Sequence, residues 1–129
     1  MVDEVNTFAG PNFTRHELEC KCGCGAVPSS VLMMKLRELR ERLGKPILIT
    51  SAMRCPEHNE RVAHTGENGP HTTGLAVDIA CDGKTAFDII GIAIELDVCG
   101  IGVSLHGASK FLHLDWCGAP LPRPMVWSY

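Results

Sequence analysis

Long apolar runs are missing from this chain of 129 residues. No stretch approaches the roughly 20 residues that a helix needs to cross a bilayer, so no membrane partner is expected. The first residues, Met1-Val2-Asp3-Glu4-Val5, lack the basic and apolar regions of a secretory signal, and synthesis in the cytoplasm is expected. A charge excess is missing too. With 12 basic against 15 acidic residues the chain sets up no field for a polyanion, which excludes nucleic acid as an expected partner. The Cys-x-x-Cys pair of ordinary structural zinc sites is absent. So is the His-Glu-x-x-His helix of common metalloproteases, since His16-Glu17-Leu18-Glu19-Cys20 fails at its last position. A complete disulfide framework is excluded by the odd count of seven cysteines. Cys20, Cys22 and Cys24 lie together while Cys55, Cys81, Cys99 and Cys117 are scattered; reduced thiols in tight loops and the core are expected, with a second metal as the weaker alternative.

What remains is enough for one domain. A chain of this size buries about two-thirds of its unfolded surface without covalent staples. Residues 1–12 mix Gly, Pro and Asn with few apolar side chains and read as a flexible arm, leaving 13–129 as a single domain. Thr14 and Glu17 have capping-box spacing for a short helical turn. Pro28-Ser29-Ser30 opens a helix to about Leu43, stopped by Gly44, with Leu32, Leu36, Leu39 and Leu43 on one face and alternating charges on the other. Pro46 to Thr50 reads as a strand that delivers Arg54 at its end, a usual position for a functional group. Pro56 to Ala63 reads as a short helix with Pro in its first turn. His58 and His64 are six residues apart, nearly on opposite faces, and are expected to be structural or at the rim. Residues 86–96 are helical in pattern and apolar around most of their circumference, predicting a central buried helix. Gly100 to Ser104 and Lys110 to Trp116 read as neighbouring strands, and residues 120–129 as an irregular strap.

The chemistry concentrates in two stretches. His71 leads a turn into a strand where Leu75, Val77 and Ile79 point one way and Ala76, Asp78 and Ala80 the other. Downstream, Leu112, Leu114 and Trp116 take the core face of a strand, so Phe111, His113 and Asp115 share the opposite side. An unpaired aspartate inside such a strand is costly unless it is partnered or coordinated. Two imidazoles and one carboxylate, with a position left for water, form the ligand set of a catalytic zinc. His71, Asp78 and His113 are the candidate ligands.

His71 followed by Asp78, then His113 in an aromatic-x-His-x-Asp strand, resembles the zinc D-Ala-D-Ala carboxypeptidase family of peptidoglycan peptidases. Cys-Lys-Cys-Gly-Cys, Leu-Gly-Lys-Pro, Ser-Ala-Met-Arg-Cys-Pro-Glu-His-Asn, Gly-Ile-Gly and the closing Arg-Pro-Met-Val-Trp-Ser-Tyr look like its compact, phage-encoded members. The resemblance runs from about Phe13 to Tyr129. It implies an α+β fold with helices on a small, mainly antiparallel sheet, like the hedgehog/D-Ala-D-Ala peptidase fold, and a Zn2+ held by His71, Asp78 and His113. Arg54, on the segment matching the family's Ser-Gly-Tyr-Arg, would bind the substrate carbonyl or carboxylate. Ala52 and Met53 depart from that segment, and Lys110 stands where several relatives carry an acid.

Proton transfer to a leaving amine still needs a group near the metal. Asp115 is the first candidate, with an equal reading as the carboxylate that orients a zinc histidine. His106, in the turn before the strand, is the second, although an exposed loop histidine is the plainer reading. The implied substrate is the peptidoglycan stem peptide, cut at a bond involving D-alanine or between L-alanine and D-glutamate, by a monomer acting in phage lysis or entry. The alternatives are a non-catalytic zinc-containing wall-binding or virion domain, and a protease acting on proteins.

Overall fold

The computed structural model describes residues 3–63 and 66–129. His64, expected at the rim, lies outside the described residues. Three helices begin the chain: α1 (Glu4–Ala9), α2 (Arg15–Leu18) and α3 (Ser30–Leu43). The strand β1 (Leu48–Ser51), helix α4 (Pro56–Val62) and a 3-10 turn (Pro70–Thr73) lead to β2 (Ala76–Ala80). Helix α5 (Gly83–Glu95) then precedes β3 (Gly100–Ser104), β4 (Phe111–Asp115) and β5 (Met125–Ser128). The strands form one sheet in the order β1-β2-β4-β3-β5, antiparallel throughout except for the parallel pair β3 and β5. The fold is the expected α+β arrangement. No helix among the described residues is long and apolar enough to cross a membrane.

Local chemistry explains the helix ends. The Thr14 hydroxyl accepts from Glu17 N–H while the Glu17 carboxylate accepts from Thr14 N–H, closing the capping box that starts α2. Ser29 caps α3 by accepting from Leu32 N–H, and Gly44 ends it at φ 73°, where a side chain would be strained. Leu32, Met33, Leu36 and Leu39 are buried along that helix. Together with Ile49, Val77, Ile79, Leu112 and Leu114 from one face of the sheet they form the core. Each such side chain contributes about 1.5–3 kcal/mol on full burial.

Three expectations are corrected. Residues 4–9 are not a loose arm: Asp3 caps α1, and Val5 and Ala9 are buried in the same core as α3. Helix α5 is not buried all round. Ala86, Ile89 and Ala93 pack inward, whereas Phe87 and Ile94 are 79% and 60% exposed. The closing segment is not an irregular strap, because its last residues pair with β3 as the edge strand β5.

Side-chain alternation gives the sheet two chemical faces. Val77, Leu114 and Ile101 are in register and belong to the core or pack against it. On the opposite face the register aligns Asp78 with His113, His113 with Gly102, and Gly102 with Trp127. One row across four strands therefore carries a carboxylate, an imidazole, a glycine and an indole. The neighbouring row aligns Ala76, Asp115 and Gly100.

Candidate metal centre

His71 enters the site from the 3-10 turn, whose last carbonyls are closed by Gly74 in the left-handed region. Its Nδ1 lies 2.7 Å from the Ala52 carbonyl. A carbonyl can only accept, so Nδ1 carries the proton and Nε2 is left with a lone pair. That Nε2 is 3.3 Å from Asp78 Oδ2. His113 repeats the logic with its nitrogens exchanged. Its Nε2 is 2.8 Å from Asp115 Oδ2, and its Nδ1 is 3.0 Å from Asp78 Oδ1.

The tautomers decide whether a metal fits. With Nε2 donating to Asp115, neutral His113 turns an Nδ1 lone pair toward Asp78, and His71 does the same with Nε2. Two imidazole lone pairs thus face one carboxylate with no proton between them, and these atoms lie within 4.8 Å of one another. Only a cation, or protons taken up by the histidines, relieves that convergence. The donor set of two neutral imidazoles and one carboxylate suits zinc.

Electrostatics agree. Burial pushes the Asp78 carboxyl up, but hydrogen bonds and attraction from His113 and His71 outweigh it and hold the group well below the usual carboxylate range. Burial likewise opposes the charge on His113, yet Asp115 and Asp78 raise its pKa. Asp115 is fully buried. Desolvation alone would raise it, and the hydrogen bonds from His113 and Arg123 reverse the sign, leaving it depressed. Arg123 reaches it as a fork, with Nε 2.9 Å from Oδ1 and Nη2 2.8 Å from Oδ2.

A cavity of about 670 Å³ opens over these ligands. Arg54, His71, Asp78 and His113 line it, with Trp127 of β5 and the following Tyr129 as an aromatic wall. Arg54 is held by Asn59, its Nη1 lying 3.2 Å from Oδ1, and its Nη2 lies 3.8 Å from Asp78 Oδ2. The Trp127 ring lies tilted against His113 with centroids 5.2 Å apart, and the Arg123 guanidinium is 5.0 Å from the indole centroid. Glycines make this packing possible. A Cβ at Gly102 would come within 2.6 Å of the Trp127 indole, and one at Gly100 would collide with the Asp115 carboxylate.

A family profile described as Peptidase M15 matches residues 11–115, most of the chain. The chain belongs to the peptidase M15 family. The matched span contains His71, Asp78 and His113, and it ends at Asp115, so Arg123, Trp127 and Tyr129 lie beyond it. Comparison with curated proteins and with solved structures returned no significant match. As an M15 family member the chain is a metallopeptidase by descent, and M15 peptidases are zinc-dependent.

The residues named from the sequence of this M15 peptidase are placed as follows. His71, Asp78, His113 and Arg54 come together around the cavity. Asp115 is behind His113 rather than in the cavity wall, and its oxygens are occupied by His113, Arg123 and the Cys117 N–H. That geometry suits orienting an imidazole and leaves no surface for a direct proton exchange with substrate. His106 is exposed in the turn between β3 and β4 and lines no described cavity around the site. Lys110 is exposed at the entry to β4 and borders a second, smaller cavity that also touches Arg54. Sequence reasoning gave no role to Arg123, Trp127 and Tyr129. The spacing of Trp127 and Tyr129 by two residues was the available signal, since it puts both on one face of a strand.

Proposed function

We propose that this M15 peptidase hydrolyses an amide bond of the peptidoglycan stem peptide or its cross-bridge, in the service of bacteriophage lysis or entry. The observation that carries the reading is the position of Arg54. It sits in the cavity wall next to Asp78, where its planar fork can take a peptide carbonyl or a terminal carboxylate lying over the metal ligands.

Zinc bound by His71, Asp78 and His113 supplies Lewis acidity toward water and toward the scissile carbonyl. The chain's own residues orient the ligands and the substrate. The Ala52 carbonyl and the Asp115–Arg123 pair fix both imidazoles in the tautomers that aim their lone pairs at one point. Arg54 binds and orients the carbonyl, and stabilises negative charge as it develops on the oxygen. Burial raises the Tyr129 hydroxyl above its usual range, and the protonated phenol is a hydrogen-bond donor at the cavity wall. The rings of Trp127 and Tyr129 shield one side of the site from water. The protein acts as a monomer on the wall, after release from the host cytoplasm or as part of a virion.

The test is digestion of purified peptidoglycan by zinc-loaded protein, with mass spectrometry of the muropeptides to identify the cut bond. New amino groups should appear, and His113→Ala should abolish them. A second reading, a non-catalytic wall-binding domain, is favoured by one observation: among the described residues Asp78 is the sole carboxylate lining the cavity. Zinc-loaded protein that sediments with the wall but releases no amino groups from any preparation would establish that reading. Cleavage of casein in place of peptidoglycan would move the substrate to proteins.

A further inference from the structure

A second set of ligand-type side chains converges away from the cavity. Cys20, Cys22 and Cys24 lie in the loop after α2, and Cys55 stands at the N-terminus of α4. Cys20 Sγ is 3.4 Å from Cys22 Sγ and 3.8 Å from Cys55 Sγ, and the Cys22 and Cys55 sulfurs are 3.6 Å apart. With Cys24 included, all four sulfurs lie within 4.8 Å of one another. A tetrahedral zinc with Zn–S bonds of about 2.3 Å requires sulfur separations of about 3.8 Å. A disulfide requires about 2.05 Å, and every cysteine is a free thiol.

The backbone explains how so irregular a spacing gathers three thiols. In an extended strand, residues two apart are about 6.6 Å from each other along the backbone, wider than the sulfur separation around one ion. Here Gly23 and Gly25 take φ +86° and +85°, the left-handed region, and coil the loop between its cysteines. The loop closes on itself through Gly23 N–H to the Cys20 carbonyl at 3.3 Å and Cys20 N–H to the Ala26 carbonyl at 2.9 Å. From the other side, Cys55 N–H points at Cys20 Sγ at 3.3 Å, a donor suited to a thiolate. Cationic side chains border the loop: Arg15 donates to the Gly25 carbonyl and Lys21 to the His16 carbonyl. Arg15 also pairs with Asp3 and Glu19, which leaves Lys21 as the nearer offset to the negative charge of a zinc tetrathiolate.

We propose that Cys20, Cys22, Cys24 and Cys55 hold a structural zinc ion, separate from the metal at His71, Asp78 and His113. Each thiol loses its proton to solvent as its bond to zinc forms, with no change of oxidation state. Four protein ligands leave no open position, which makes the site structural. Its place in the chain gives it a task. Cys55 follows Arg54 directly, and Met53 N–H already bonds the Leu18 carbonyl. Zinc would lock the loop after α2 to the segment that presents Arg54 to the cavity.

Elemental analysis of protein purified under reducing conditions tests this independently of hydrolysis. Two zinc ions per chain are expected, falling to one in the double variant His71→Ala, His113→Ala. Cobalt(II) loaded into that double variant should give the intense thiolate-to-cobalt charge-transfer absorption of a tetrathiolate site. An organomercurial should then displace one equivalent of metal. Cys24→Ser, at an exposed position, should lower the metal content by one while circular dichroism remains native. Where that variant does not fold, the histidine double variant decides alone. One zinc in the wild type and none in the double variant would overturn the proposal, as would disulfides among these four cysteines or iron in their place.

Discussion

Asp115 is bound to His113 and to Arg123 through the same oxygen, with His113 Nε2 and Arg123 Nη2 each 2.8 Å from Oδ2. The pair makes Asp115 an orienting group for the imidazole. Replacing it with Asn preserves the shape and removes the charge. An orienting role predicts that zinc affinity at the catalytic site falls about 10–100-fold in Asp115→Asn. A direct proton carrier would lose turnover while binding zinc as tightly as before. Metal titration beside the hydrolysis rate separates the two, provided that the cysteine cluster is monitored by its own absorption.

Gly102 makes room for the Trp127 indole across the β3 and β5 pairing. Gly102→Ala should push the edge strand away from the site and cost about 1–3 kcal/mol, the usual range for overpacking. Urea unfolding would measure it. Because the displaced strand carries Trp127 and leads directly into Tyr129, activity should fall further than the loss of folded protein explains. An alanine variant with wild-type stability and activity would show that β5 does not seat against Gly102.

The site's first half was legible in the sequence because β-strand alternation is local. Asp78 and His113 each stand opposite their strand's apolar residues, and that reading needs only two neighbours on either side. The second half depends on pairing between distant segments. Pro120, Pro122 and Pro124 interrupt the closing stretch and hide β5, whose partner β3 is parallel and some twenty residues away. Helix α1 has only Val5 and Ala9 to mark its buried face, too short a pattern for periodicity. In α5 the apolar side chains outnumber the positions that its neighbours can cover, so Phe87 and Ile94 stay outside. Of the thiol cluster, Cys20, Cys22 and Cys24 were visible together in the sequence, but the fourth member was beyond reach, since Cys55 joins them from across β1.

In the proposed reaction Arg54 meets negative charge on the substrate oxygen, and the size of its effect should reflect that. Arg54→Ala should reduce kcat by about 10²–10³-fold, the range for removing a donor to a developing oxyanion. Arg54→Lys should restore little, because a point charge lacks the fork. Zinc content must be measured alongside, since Arg54 also lies beside Asp78. A variant with full zinc and unchanged kcat would remove Arg54 from the chemistry.

The coupling of protons to the metal centre gives the protein a pH dependence whose form changes with metal content. Without metal, the pKa of His113 is raised by Asp115 and Asp78 over the opposing effect of burial. Its contribution to stability is therefore complete below its unfolded value, about 6.5, and is lost as pH rises through the higher folded value. Asp78 and Asp115 are depressed, burial being outweighed by their partners, so their contribution is present above about 3.9 and is lost as pH falls. Protein stripped of the catalytic metal should be most stable between those limits and weaken on both sides. Zinc takes the place of the His113 proton, so loading should abolish the alkaline loss and leave the acid one. Zinc affinity should correspondingly weaken as pH drops through the raised His113 value, because the proton competes for Nδ1. Thermal unfolding across pH, with and without zinc at the histidine site, measures both curves; identical curves would mean that His113 Nδ1 faces no metal.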